Sequence, residues 1–195
     1  MILVITPETG VPNEADIIHQ MFREGLDLLH IRKPQMTEAE MSDFICRIDD
    51  IFYPQLVLHT HYDLGKEYNI SRFHVREADR QQGKHRFIAK ESIISTSVHH
   101  IAAYNSLEKE WEYAFISPFF TSISKKGYGT DTMLKEEIKN RNNPEVKLIA
   151  LGGIGHDTIQ NVFDRGVDGA ALLGAVWESD QPLEAFKKCR KAILR

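Results

Sequence analysis

Lys147-Leu-Ile-Ala-Leu-Gly-Gly-Ile154, followed by Asp168-Gly-Ala-Ala-Leu-Leu-Gly-Ala-Val-Trp177, is the stretch that decides the fold. Leu148 to Leu151 is an apolar run that stops at Gly152-Gly153, and Ala170 to Leu173 is a second that stops at Gly174. Between them Ile159, Val162 and Phe163 recur at helical spacing, and Gly166 closes the pattern. The order is strand, glycine turn, helix, strand, glycine turn. Short runs without polar alternation are strands buried on both faces, as in a parallel sheet. Glycine lets backbone N–H groups approach an anion with no Cβ in the way. Two consecutive turns of this kind at the end of a βαβα series predict a phosphate cradle, completed by a short helix from Ala175 to Glu178.

Working outward, the same alternation runs back to the start of the chain. Strands are expected at 2–5, 28–31, 56–58, 73–75, 93–97 (with 87–89 as the alternative fifth), 113–116, 148–151 and 170–173. Asn13 is placed to cap a first helix that Gly25 ends, and Thr37-Glu-Ala-Glu40 reads as a capping box. Residues 76–84 read as polar and irregular, Ser117 to Thr130 as a long loop, and 182–194 as a closing amphipathic helix. About eight strands alternating with helices favour a single-domain (β/α)8 barrel over 1–195, with a flavodoxin-like open sheet as the alternative.

Composition narrows the partners. Net charge −4 with scattered basic residues argues against nucleic acid and against a membrane surface. The run Ile2 to Ile5 is too short for a signal peptide. Cys46 and Cys189 show no metal spacing and are expected as free thiols in a cytoplasmic protein.

In a barrel, reactive groups gather where strands end. Those positions hold Arg32 and Lys33, His59 to His61, His74 to Asp79, Ser97 to His100, Ser117 to Lys126, Gly152 to Gly155 and Gly174 to Val176. His30, inside the second strand, is by default a structural core histidine. His59 and His61 share a face if the segment is extended, a metal pair without an evident third ligand. Asp79 alone reads as a solvated loop charge.

These residues carry a resemblance. His30-Ile-Arg32, Phe73-His-Val-Arg-Glu-Ala-Asp79, Ser95-Thr-Ser-Val-His99, Ser117-Pro-Phe-Phe, Ser122-Ile-Ser-Lys125, Leu151-Gly-Gly-Ile154 and Asp168-Gly-Ala are similar, in order and spacing, to the thiamine phosphate synthase and thiazole tautomerase superfamily of (β/α)8 barrels. The resemblance implies an enzyme of thiamine biosynthesis that joins a pyrimidine methyl diphosphate to a thiazole phosphate and releases diphosphate. It implies that Arg32 and Lys125 hold the diphosphate and that Asp79 binds Mg²⁺. It also implies that Ser122, Ser124, Gly152, Gly153 and the backbone of Gly174, Ala175 and Val176 surround the thiazole phosphate. His30, Ser97 and Pro118 are expected to line the substrate, and His59 is the candidate acid–base group. The partners implied are small phosphorylated thiamine precursors, and apolar residues on the barrel's outer helices leave room for a homodimer.

The chain departs from the synthase pattern in two places and from the tautomerase branch in a third, since Pro118 matches the synthase proline. The Asn-Asp pair after the third strand reads His59-Thr60, which removes a second Mg²⁺ carboxylate. The Arg-Glu-Lys after the second strand reads Arg32-Lys33-Pro34, and Lys33 is expected to point away from the site. The tautomerase branch has a histidine where Pro118 stands. Two other readings therefore stand beside the synthase: a thiazole phosphate tautomerase, and a barrel that binds phosphorylated precursors without turnover.

Overall fold

The structure is a computed structural model and describes residues 1–88, 91–120 and 134–193. Its strands are β1 (Ile2–Ile5), β2 (Leu28–Ile31), β3 (Leu56–Leu58), β4 (Arg72–Val75), β5 (Ile93–Val98), β6 (Trp111–Ile116), β7 (Lys147–Leu151) and β8 (Gly169–Leu172). All pair in parallel and in sequence order, and β8 returns to β1, so the sheet is a closed barrel rather than an open flavodoxin-like layer. The connecting helices are α1 (Glu14–Arg23), α2 (Glu38–Ile45), α3 (Leu64–Glu67), α4 (Glu77–Gln81), α5 (Ile101–Asn105), α6 (Leu134–Glu137), α7 (Ile159–Phe163), α8 (Gly174–Trp177) and α9 (Pro182–Ile193).

Closure divides each strand's side chains between two cores, because successive residues point to opposite faces. Ile2, Val4, Leu29, Ile31, Leu56 and Leu58 face outward and pack under the helices. Leu3, Ile5, Leu28, Val57, Tyr113, Phe115, Ile149 and Ala171 face inward and fill the barrel. Full burial of each aliphatic side chain contributes about 1.5–3 kcal/mol, so the apolar runs supply the main driving force for closure. The inner layer also carries polar groups: His30, His74 and Ser95 are buried within it.

Local signals succeed and fail for identifiable reasons. The Thr37–Glu40 capping box forms in both directions. Asn13 does not cap α1: its backbone is left-handed (φ 56°) and its side chain makes no cap hydrogen bond. Gly25 does end α1, at φ +88°, with Arg190 of α9 packed where a Cβ would project. Residues 77–81, expected to be irregular, form α4. Asp168 works at the N-terminal end of the barrel, where its carboxylate accepts from Leu148 N at 2.7 Å and pairs with Arg141.

Lys33 turns away from the barrel mouth, as its place next to Arg32 requires. It is fully buried, 2.9 Å from Glu14 at the start of α1, and it donates to Pro7 O at 2.8 Å. This pair ties the β1–α1 loop, part of the barrel mouth, to the end of β2. Removing one partner of a buried ion pair strands the other charge. Glu14→Gln should therefore lower the unfolding free energy by about 3–5 kcal/mol. Urea denaturation checks this, and a loss near that of a surface pair would show that the Lys33 charge is solvated.

Candidate active site

The C-terminal mouth of the barrel opens into a cavity of about 730 Å³. Arg32 from the end of β2, Ser97 from β5, and His99, Ser117 and Pro118 from the loops after β5 and β6 contribute to its wall. The β7 and β8 ends add Gly152, Gly153, Gly174 and Ala175. The strand-end groups singled out in the sequence thus converge because parallel strands deliver all their C-termini to one rim.

The β7–β8 corner of the cavity is built from backbone. Gly152 and Gly153 both have positive φ, +105° and +65°. A Cβ on Gly152 would lie 3.2 Å from Pro118 Cα and 3.3 Å from Phe119 N. That close approach lets Phe119 N donate to Leu151 O at 2.9 Å and Phe120 N to Gly152 O at 3.0 Å, which stitches the β6 loop to the β7 turn. In α8, Val176 N and Trp177 N donate to Leu173 O at 3.1 and 3.0 Å. The earlier N–H groups, those of Gly174 and Ala175, lie in the open first turn, where a helix has no internal acceptors. Val176 is therefore a correction: its N–H is already used, and its side chain is buried in the outer core. Trp177 anchors α8 by donating from Nε1 to Ile5 O at 2.8 Å.

Arg32 reaches the cavity and pairs with Glu8, also on the wall. Its backbone N–H donates to Thr6 Oγ1 at 2.9 Å, which fixes the end of β2. His99 Nδ1 lies 2.7 Å from Ser117 O, so Nδ1 carries the hydrogen and Nε2 is left as the basic nitrogen. Glu77 stands 3.7 Å from that Nε2.

Asp79 sits in α4, where Arg76 holds one carboxylate oxygen at 2.8 Å and Lys84 the other at 2.7 Å. Hydrogen bonds from Lys84 and then Arg76 hold its carboxyl below the usual carboxylate range. Ser122, Ser124 and Lys125 lie outside the described residues.

Below the cavity floor the histidines assemble. His30 Nδ1 is 2.9 Å from His59 Nε2, and the Tyr113 hydroxyl is 2.7 Å from His30 Nε2. His74 is bracketed by Ser95 Oγ and Ser97 Oγ, each at 2.9 Å. The His59 and His74 rings stack with centroids 4.4 Å apart. His30 and His74 are thus no ordinary packing residues, and His30 does not reach the cavity wall. The expected His59–His61 pair does not form: His61 takes φ +51° and its Nε2 turns to Met36 O at 2.9 Å. Tyr113 and Glu8 were missed by sequence reasoning. The inward parity that Tyr113 shares with Phe115 was the available signal for the first, and Glu8 gave none.

Burial, reinforced by neighbouring His74, holds His30 well below the usual histidine pKa. Burial also lowers His59, with His74, His30 and Arg32 adding to the effect. Burial and then Arg32 bring His74 to about 3. Because the folded pKa values are depressed, the unfolded chain binds more protons as pH falls below about 6.5. Stability is therefore full above that pH and declines below it, by about 1.4 kcal/mol per pH unit for each histidine kept neutral. Urea titrations of chelator-treated protein at pH 7 and pH 5 should show that decline, and equal stabilities would mean these imidazoles protonate freely.

Comparison with known proteins agrees with this geometry. A family profile described as thiamine monophosphate synthase matches residues 2–176. The thiamine-phosphate synthase of Clostridium acetobutylicum is 23% identical over 183 residues, covering 89% of this chain and 86% of its own. The solved structure of a thiamine phosphate pyrophosphorylase from Bacteroides thetaiotaomicron is 26% identical with a TM-score of 0.78, covering 98% of this chain and 96% of its own. That of a thiamine phosphate pyrophosphorylase from Pyrococcus furiosus has a TM-score of 0.82 at 19% identity, covering 99% and 95%, a likeness of fold.

Proposed function

The chain belongs to the thiamine monophosphate synthase family, and from that premise we propose that its barrel mouth joins a pyrimidine methyl diphosphate to a thiazole phosphate. In this reaction the bond from the pyrimidine methylene carbon to the diphosphate oxygen breaks. The thiazole nitrogen supplies the electron pair for the new C–N bond, and diphosphate leaves with its electrons. The observation that carries the reading is the separation of two anion-binding groups across one cavity. The amides of Gly153, Gly174 and Ala175 form a cradle on the β7–β8 side, and Arg32 stands on the β2 side. A fixed cation where negative charge accumulates on the leaving group lowers the barrier without reorganisation. Lys125 is assigned to the same charge, and Ser122 and Ser124 to the thiazole phosphate.

The Mg²⁺ implied by the resemblance meets a donor set that does not fit it. Both oxygens of Asp79 are held by cations. Thr60, where the family has its second carboxylate, offers a neutral hydroxyl that is buried without a partner among the described residues. A hard divalent cation needs anionic oxygen ligands free to coordinate it. Leaving-group charge is accordingly assigned to Arg32 and Lys125.

No helix among the described residues is long and apolar enough to cross a membrane. The unpaired Cys46 and Cys189 support a cytoplasmic setting.

One observation favours the tautomerase as a second reading. His99 stands on the cavity wall with its Nδ1 on Ser117 O and its Nε2 toward Glu77, close to where that branch carries its histidine. The two readings separate in one assay. The full chain incubated with both phosphorylated halves should release thiamine phosphate and diphosphate in equal amounts, and Arg32→Ala should lower kcat by about 10²–10³-fold. Isomerisation of a thiazole phosphate alone would establish the second reading. Neither product would overturn both.

A further inference from the structure

The three histidines beneath the cavity serve no step in the reaction proposed above, yet they are the largest cluster of potential ligands among the described residues. We propose that His30, His59 and His74 form a binding site for a divalent late-first-row metal ion of the zinc class. This goes beyond the synthase reading and does not depend on it.

Each histidine comes from a different strand: β2, the end of β3, and β4. Their ligand nitrogens all lie within 4.8 Å of one another. With Zn–N bonds of about 2.0–2.1 Å, tetrahedral ligands stand about 3.3–3.4 Å apart. The 2.9 Å gap between His30 Nδ1 and His59 Nε2 must therefore open by a few tenths of an ångström. The third nitrogen must close in, which tilts His59 and His74 out of their present stack. These are side-chain adjustments. The backbone positions are fixed by ladder pairing, with His30 beside Val57 and His74 beside Ser95.

The outer partners are those a metal-bound imidazole needs. With Nδ1 on the ion, His30 Nε2–H would donate to the Tyr113 hydroxyl, now 2.7 Å away. His74 has a serine on each nitrogen, so whichever nitrogen turns to the ion, the other keeps its hydrogen bond. His59 stands at the strand end and is the most exposed of the three. Three nitrogen donors without a carboxylate select zinc or its neighbours over Mg²⁺, which takes oxygen. Three protein ligands leave the fourth position open to water or to a substrate oxygen.

The test uses the full-length, untagged chain after chelator treatment. Zn²⁺ is titrated against a colorimetric competitor, and Co²⁺ serves as a spectroscopic probe. The expected result is about one tight equivalent per chain, with the Co²⁺ absorption of a tetrahedral nitrogen site. His59→Gln, on the partly exposed rim, should abolish that equivalent while the circular dichroism spectrum is retained. Tyr113→Phe should weaken it about 10–100-fold. His156→Gln, on the exposed α7 side, should leave it unchanged. Absence of a tight equivalent in the wild-type chain would overturn the proposal and leave a neutral hydrogen-bonded cluster. So would an equivalent that survives His59→Gln, or one that His156→Gln removes.

Discussion

Ring closure of eight short parallel strands is the constraint from which the other features follow. It leaves no free sheet edge, and it sends all strand C-termini to one rim. It also forces every second side chain into a space filled from all sides. A polar group inside that space must find its partner within the barrel, because water does not reach it. His30 has Tyr113 and His59, and His74 has Ser95 and Ser97, so the inner layer is satisfied although it is partly polar. The register that pairs His74 with Ser95 makes the network sterically available.

The same geometry gives the cavity two dissimilar walls. On the β7–β8 side, glycines with positive φ bring main-chain amides forward, and α8 adds its open first turn. On the β2 side a guanidinium stands over the rim, while the adjacent Lys33 is withdrawn into a buried pair with Glu14. One neighbour therefore reaches the cavity and the other holds the loop that shapes it. Asp79 illustrates the reverse case: a residue at a family motif position whose charge is spent on Arg76 and Lys84.

The barrel was legible because its signals are local. Apolar runs such as Ile2 to Ile5 and Leu148 to Leu151 end abruptly, and Gly25, Gly152 and Gly166 fall at turns that need positive φ. The short helix α4 was not legible, since Glu77-Ala-Asp-Arg-Gln has no apolar stripe and is held by Arg80–Glu77 and Arg76–Asp79 pairs. In the site, the glycine turns and Arg32 could be placed from strand ends alone. The histidine cluster could not, because it depends on the relative register of three strands and on His61 leaving the extended conformation. The use of Val176 N by Leu173 O is likewise a matter of where a four-residue helix begins.

Under this reading, main-chain amides at the ends of β7 and β8 hold the phosphate of the substrate. A crystal structure with thiazole phosphate bound tests it most directly. The account predicts phosphate oxygens at about 2.7–3.2 Å from the N–H groups of Gly153 and of Gly174 or Ala175. A phosphate seated against Arg32 with the β7–β8 corner empty, or a corner closed by side chains, would contradict it.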